Sequence, residues 1–325
     1  MSAAIIGADR LRALLSFEDL IEPVSRAFQQ SSAGKADNQL ILLFPLPDRT
    51  RGDVYVKTGT LEGQAVYIVK VSPWFAANVE RGQPQGGFIA VCDSQTGHTL
   101  ALLDDQHYLS DIRTAAAGAL AARMLAPQRV EAATVIGSGI QAYWQVMALY
   151  RERPFATLRV WARDGAKAEA LAARLASELP DARIDVVADI EDAIRLADVI
   201  LTATSSRDPL IRGEWLRPGQ HITAVGADDP SKCELDTSAL RVGRVFVDAI
   251  DSTLANGDVH RAIMSGGYAP EDIEGEIGDL LSGRRAGRRS PQDITIAKFV
   301  GIGAQDLVTA QCAIERLRPG SGASS

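Results

Sequence analysis

Two rhythms of hydrophobic and polar positions divide the chain. In roughly the first hundred residues, short apolar runs alternate with turn residues. Residues 17–32 place Leu20, Ile21, Val24 and Phe28 on one stripe at helical spacing, with Pro23 in or near the first turn. Residues 40–44, 54–58, 65–71, 87–93 and 99–103 read as strands, the last pair joined by a hairpin-type turn at 94–97. Residues 72–87 (SPWFAANVERGQPQGG) read as a turn-rich loop. This predicts an antiparallel sheet with a helix.

An alanine-rich helix at 111–125, ended by Pro127, leads into the second rhythm. Strands are predicted at 134–136, 158–162, 183–188, 199–202, 221–225 and 244–248, with a further one at 294–300. Helical runs separate the early ones at 140–151, 166–179 and 190–196. Such alternation predicts a parallel sheet with helices on both faces. A closing helix at 305–317 packs back on the first domain, and the tail 318–325 is expected to be disordered. The fold class is therefore α/β: a Rossmann doubly wound parallel sheet over 116–304, plus an α+β domain made from 1–115 and 305–325.

The stretch ATVIGSGIQAYWQVMA carries the most specific local signal. Strand, tight turn and helix meet at G-x-G-x-x-A, the dinucleotide-binding fingerprint. Gly137 permits the turn, Ser138 lies within it, and Gly139 leaves room for a pyrophosphate. Ala142 keeps helix and strand close, and the helix N-terminus points its positive end at the phosphates. The second strand ends in Ala162, Arg163 and Asp164. Arg163 suits a 2′-phosphate, which favours NADP over NAD. In the alternative, Arg163 is solvated and Asp164 caps the next helix.

Composition narrows the partners. The chain has 325 residues and a net charge of −7, which disfavours nucleic acid and anionic membranes. No apolar run is long enough to cross a bilayer, and the N-terminus lacks a clear cleavage site. The three cysteines are far apart, which points to reduced thiols in the cytoplasm. The four histidines show no metal-ligand spacing.

Other residues carry candidate chemistry. Asp228 and Asp229 follow an apolar strand and Gly226, where a carboxylate can hold an ammonium or shuttle a proton to an amine; a loop cap is the alternative. Lys70 and Lys57 interrupt apolar strands, so each either faces solvent or points into a site. Arg113 opens a run of small residues and can reach a carboxylate with two nitrogens, or form a surface pair with Asp111 or Glu131. The hydroxyl-rich 202–206 lies at a strand end, where ligands bind in parallel sheets.

Five stretches in order, VKVSPWFAANVERGQP, LSDIRTAAAGALAARMLAP, VIGSGIQA, VGADDPSKCELD and ITIAKFVGIGAQDL, resemble the ornithine cyclodeaminase/mu-crystallin family. That family includes cyclodeaminases of ornithine and lysine, alanine dehydrogenases and reductases of cyclic ketimines, and mu-crystallin also binds thyroid hormone. The resemblance implies a homodimer acting on a small amino or imino acid. It implies that Arg113 and Lys70 grip the substrate carboxylate and that Asp228 is the acid/base at its nitrogen. Ile140 and Gln141 would lie along the pyrophosphate; Thr204, Val225, Gly226 and Lys232 would line the nicotinamide half. One departure concerns an early strand, where many members carry an Arg. The nearest position here is Gln39, and Lys57 is the substitute from the next strand. The readings compatible with this pattern are an NAD(P)-dependent imine reductase or amino acid dehydrogenase, ornithine cyclodeaminase, and a binding protein with little turnover.

Overall fold

A computed structural model describes residues 3–83 and 85–317, so the tail predicted at 318–325 lies outside the described residues. The chain divides into two compact units, Met1–Ala116 with Ile302–Ser325, and Ala117–Gly301.

The first unit holds a six-stranded sheet: β1 (Ala4–Gly7), β2 (Ala36–Leu43), β3 (Gly52–Leu61), β4 (Val66–Phe75), β5 (Phe88–Asp93) and β6 (Thr99–Asp104). Their order is β1-β6-β5-β4-β3-β2, and only β1 pairs in parallel. The hairpin between β5 and β6 turns on Asp93, which accepts from the backbone N–H of Gln95 and Thr96. Three features depart from expectation. β1 and a helix at Ala8–Leu14 precede the first predicted element. β4 runs on through Pro73 to Phe75, and Ala76–Glu80 is a short helix rather than loop. The first amphipathic helix starts at Ile21, after a single 3-10 turn at Glu18–Leu20.

The closing helix, Gly303–Leu317, packs on β3 at unusually short range. A Cβ on Gly59 would sit 2.4 Å from the Gly303 backbone, and one on Gly303 only 1.9 Å from Thr58 O. Only two glycines allow that approach. Asn38 Oδ1 accepts from the Ala304 N–H at 2.7 Å and satisfies one of the free donors at the helix start.

The second unit holds eight strands, all paired in parallel: β7 (Ala132–Ile136), β8 (Thr157–Trp161), β9 (Arg183–Val186), β10 (Val199–Thr202), β11 (His221–Ala224), β12 (Arg244–Val247), β13 (Gly275–Glu276) and β14 (Thr295–Lys298). The order β13-β12-β14-β11-β10-β7-β8-β9 reverses direction between β7 and β10, which is the switch point of a doubly wound sheet. Alternate residues feed two cores. Ala133 and Val135 join one with the helices Ile140–Glu152 and Gly165–Glu178, and Ile136 joins the other with Ile194 and Leu240.

Candidate functional site

In the first unit, register brings distant charges onto one sheet face. Lys57 lies opposite Lys70 across β3 and β4, with Leu40 and Ile89 completing the row. Both lysines are buried, at 5% and 3% exposure, which removes the solvent-facing reading. Gln39 pairs with Thr58, one residue out of step, so it belongs to the opposite face. It is exposed and donates to Asp37 at 2.9 Å, and it does not join the lysines.

The first turn of the closing helix delivers the centre of the cluster, Asp306, which was not singled out from the sequence. Its Oδ1 accepts from Lys70 Nζ at 2.9 Å and from Arg113 Nε at 3.0 Å. Arg113 is therefore partnered by Asp306 rather than by Asp111 or Glu131, and among the described residues it makes no other hydrogen bond. Burial pushes the Asp306 carboxyl up, but Lys70, Arg113 and Lys57 outweigh it and hold the group ionised far below the usual range. Burial lowers Lys70, with Asp306 opposing that drop and Arg113 adding to it.

The rim of this cluster contains two more residues missed in the sequence. Asp105, raised by burial, accepts from the Leu109 N–H and caps the helix Tyr108–Leu125 that carries Arg113. His107 follows Gln106 in the left-handed region, at φ 70° and 50°. Its Nε2 lies 3.0 Å from Pro73 O and 3.1 Å from Ser72 Oγ. Burial and then the Lys70 cation bring its ring down to about 4.

In the second unit, the glycine turn fits a dinucleotide. Gly137 has φ +125°, and a Cβ there would meet Ala203 O at 2.4 Å, just past β10. That places the turn at the switch point. Gly139 has nothing within 4 Å of a would-be Cβ, and it starts the helix Ile140–Glu152 without a side-chain cap. Open space therefore faces the helix's N-terminal donors, as a pyrophosphate requires. Ser138 is half-buried in the turn, Ile140 is exposed beside it, and Gln141 is half-buried. Asp164 accepts from Ala166 and Lys167 N–H and so caps the helix Gly165–Glu178. Arg163 is exposed, and among the described residues its side chain makes no hydrogen bond or ion pair.

Beyond β11 the two adjacent carboxylates differ. Asp229 is buried and accepts from Ser231 N–H, Ser231 Oγ and Lys232 N–H, so it is the loop cap. Asp228 keeps a side chain 32% exposed and is paired with Lys232 Nζ at 2.7 Å. Lys232 is thus committed to the carboxylates, 3.5 Å from Asp229 as well. Glu234, fully buried, accepts from Thr204 N–H at 2.6 Å and Gly226 N–H at 2.9 Å. It ties together the chain ends leaving β10 and β11, while the Val225 N–H reaches Thr202 O. Lys298 Nζ donates to Ala227 O and pairs with Asp258, whose Oδ1 accepts from Glu234 and Leu235 N–H. These buried charges frame the loop that presents Asp228. Among the described residues no His/Cys/Asp/Glu group could hold a metal ion, and no helix is long and apolar enough to cross a membrane.

Known proteins are similar to this chain over most of their length. The chain is 40% identical to an uncharacterized cyclodeaminase of Sinorhizobium fredii over 87% of this chain and 86% of that one. It is 32% identical to an alanine dehydrogenase of Archaeoglobus fulgidus over 97% and 95%. The solved Delta(1)-pyrroline-2-carboxylate reductase of Thermococcus litoralis, in complex with NADH and L-proline, superposes with a TM-score of 0.90 at 28% identity, covering 96% and 97%. Residues 2–321 match the ornithine cyclodeaminase/mu-crystallin family, and the chain belongs to that family.

Proposed function

We propose that the protein is an NAD(P)-dependent oxidoreductase acting on the C–N bond of a small amino or imino acid. The observation that carries this reading is the buried cluster of Lys57, Lys70 and Arg113 around the single ionised Asp306. Its excess positive charge calls for an anion. Arg113 spends only Nε on Asp306, so the outer nitrogens of its guanidinium can take a substrate carboxylate in bidentate fashion, with Lys70 beside it. Asp228 holds or releases the proton of the substrate nitrogen, and Lys232 orients its carboxylate. Gly137, Ser138, Gly139, Ile140 and Gln141 hold the pyrophosphate, Thr204, Val225 and Gly226 line the nicotinamide end, and Arg163 receives a 2′-phosphate. Bound NAD(P) would supply the hydride donor or acceptor.

A second copy of the chain is the proposed partner. Support comes from β2, an edge strand with Ile41 and Leu43 exposed at 57% and 48%. Sedimentation at working concentration reads the dimer directly.

The testing experiment follows NADPH and NADH oxidation with pyruvate plus ammonia, pyrroline-2-carboxylate and piperideine-2-carboxylate. Turnover with at least one, abolished by Asp228→Asn while nucleotide affinity persists, is the expected result. Full activity in Asp228→Asn removes the assigned role. The Sinorhizobium relative supports cyclodeamination as a second reading; ornithine with catalytic cofactor, scored for proline and ammonia, separates the two.

A further inference from the structure

We propose that His107 selects the substrate, favouring an amino or imino acid whose side chain ends in a hydroxyl. The proposal rests on the reaction class above and adds the side chain that class leaves open. His107 bonds Ser72, which lies two residues along β4 from Lys70 and therefore on the same sheet face. Its imidazole thus borders the cation cluster, close enough to feel Lys70 and Arg113.

The ring's protonation follows from its contacts. Pro73 O can only accept, so the proton is assigned to Nε2. Nδ1 is then a bare lone-pair acceptor, and among the described residues it has no partner. The ring stays neutral near pH 7, because burial and the neighbouring cations oppose its charging. An accessible acceptor on a ring that borders the cation cluster can take a donor from the ligand. Two donor chemistries are available, an ammonium and a hydroxyl. Lys57, Lys70 and Arg113 still outnumber Asp306 and Asp105, so the local field disfavours an ammonium. A hydroxyl satisfies Nδ1 without that repulsion.

The backbone points the same way. Gln106 and His107 both hold left-handed dihedrals that side-chain-bearing residues rarely adopt. Such strain collects where a side chain must be aimed, and here the aimed side chain is the imidazole.

The test is equilibrium binding of isosteric pairs, L-serine against L-2-aminobutyrate and L-homoserine against L-norvaline, with L-ornithine as a further arm. NADPH and NADH are each present in turn, so that no hydride can move during the measurement. At one chain length the hydroxylated member should bind about tenfold more tightly, and ornithine should bind more weakly than either. His107→Gly accepts the backbone and should erase the preference within each pair. His107→Asn keeps a left-handed tolerance and an acceptor oxygen, and should retain part of it. Equal binding within both pairs, a preference that survives His107→Gly, or tighter binding of ornithine overturns the proposal. Hydroxyl-selective binding without hydride transfer in the oxidation panel overturns the reaction class and leaves the selectivity standing.

Discussion

Adjacent carboxylates at 228 and 229 have separate fates. Asp229 satisfies three donors of its own loop, so Asp229→Ala should cost about 1–2 kcal/mol of stability, read as a lower urea midpoint. Asp228→Asn should unfold within about 0.5 kcal/mol of the parent, the range of ordinary surface changes, while losing turnover. A large stability loss at 228 would reassign it as structural. Arg163→Ser should weaken NADPH binding about tenfold or more and leave NADH unchanged, as titration of nucleotide fluorescence would show, since one charge-assisted contact is removed. Lys70, Arg113 and Asp228 could be singled out as candidates because their residue types suit a carboxylate and an amine, and the family resemblance supplied their expected roles. Asp306 was not: an acid in a first helical turn looks like ordinary helix chemistry, and its partners stand 236 and 193 residues away. Gln39 was misplaced by the pleat, because a shift of one residue exchanges the two faces of a strand.

At the scale of elements, the cluster depends on how closely the closing helix meets β3. Gly59→Ala should force the helix off the strand, lowering stability by about 1–3 kcal/mol in urea denaturation and weakening carboxylate ligands. An alanine tolerated at both readouts would mean that the short approach is not needed. Strands β7, β10 and β11 were legible as apolar runs because a parallel sheet buries both faces. The end of β4 was hidden by Pro73 and by the turn residues around it, which normally punctuate loops. β1 was hidden because four residues at a chain start carry no periodicity, and its partner β6 lies a hundred residues on.

For the whole molecule, buried histidines set an acid limit. His107 titrates near 4 and the fully buried His221, held between Thr295 and Thr223, near 3, both lowered by burial. Between pH 6.5 and those values, the unfolded chain binds protons that the folded chain refuses, so their contribution to stability falls as pH falls. Glu234 and Asp105, raised by burial, act in the opposite sense above the carboxylate range, so a difference measurement is needed. Relative to the parent, His107→Asn should gain up to about 3 kcal/mol on going from pH 6.5 to 4, read by urea unfolding at each pH. A constant difference across that range would place the His107 ring in an ordinary environment. The sequence by itself determined the α/β class, the glycine turn and its dinucleotide, and the residue types able to hold a carboxylate and an amine. Those properties are written in spacing and side-chain chemistry over short stretches. Only the tertiary structure decided which face each lysine occupies, that Asp306 neutralises part of the cluster, that Asp229 rather than Asp228 closes its loop, and that His107 stands at the rim. Each of these depends on register and helix approach between segments far apart in the chain, where burial rather than local pattern sets charge and orientation.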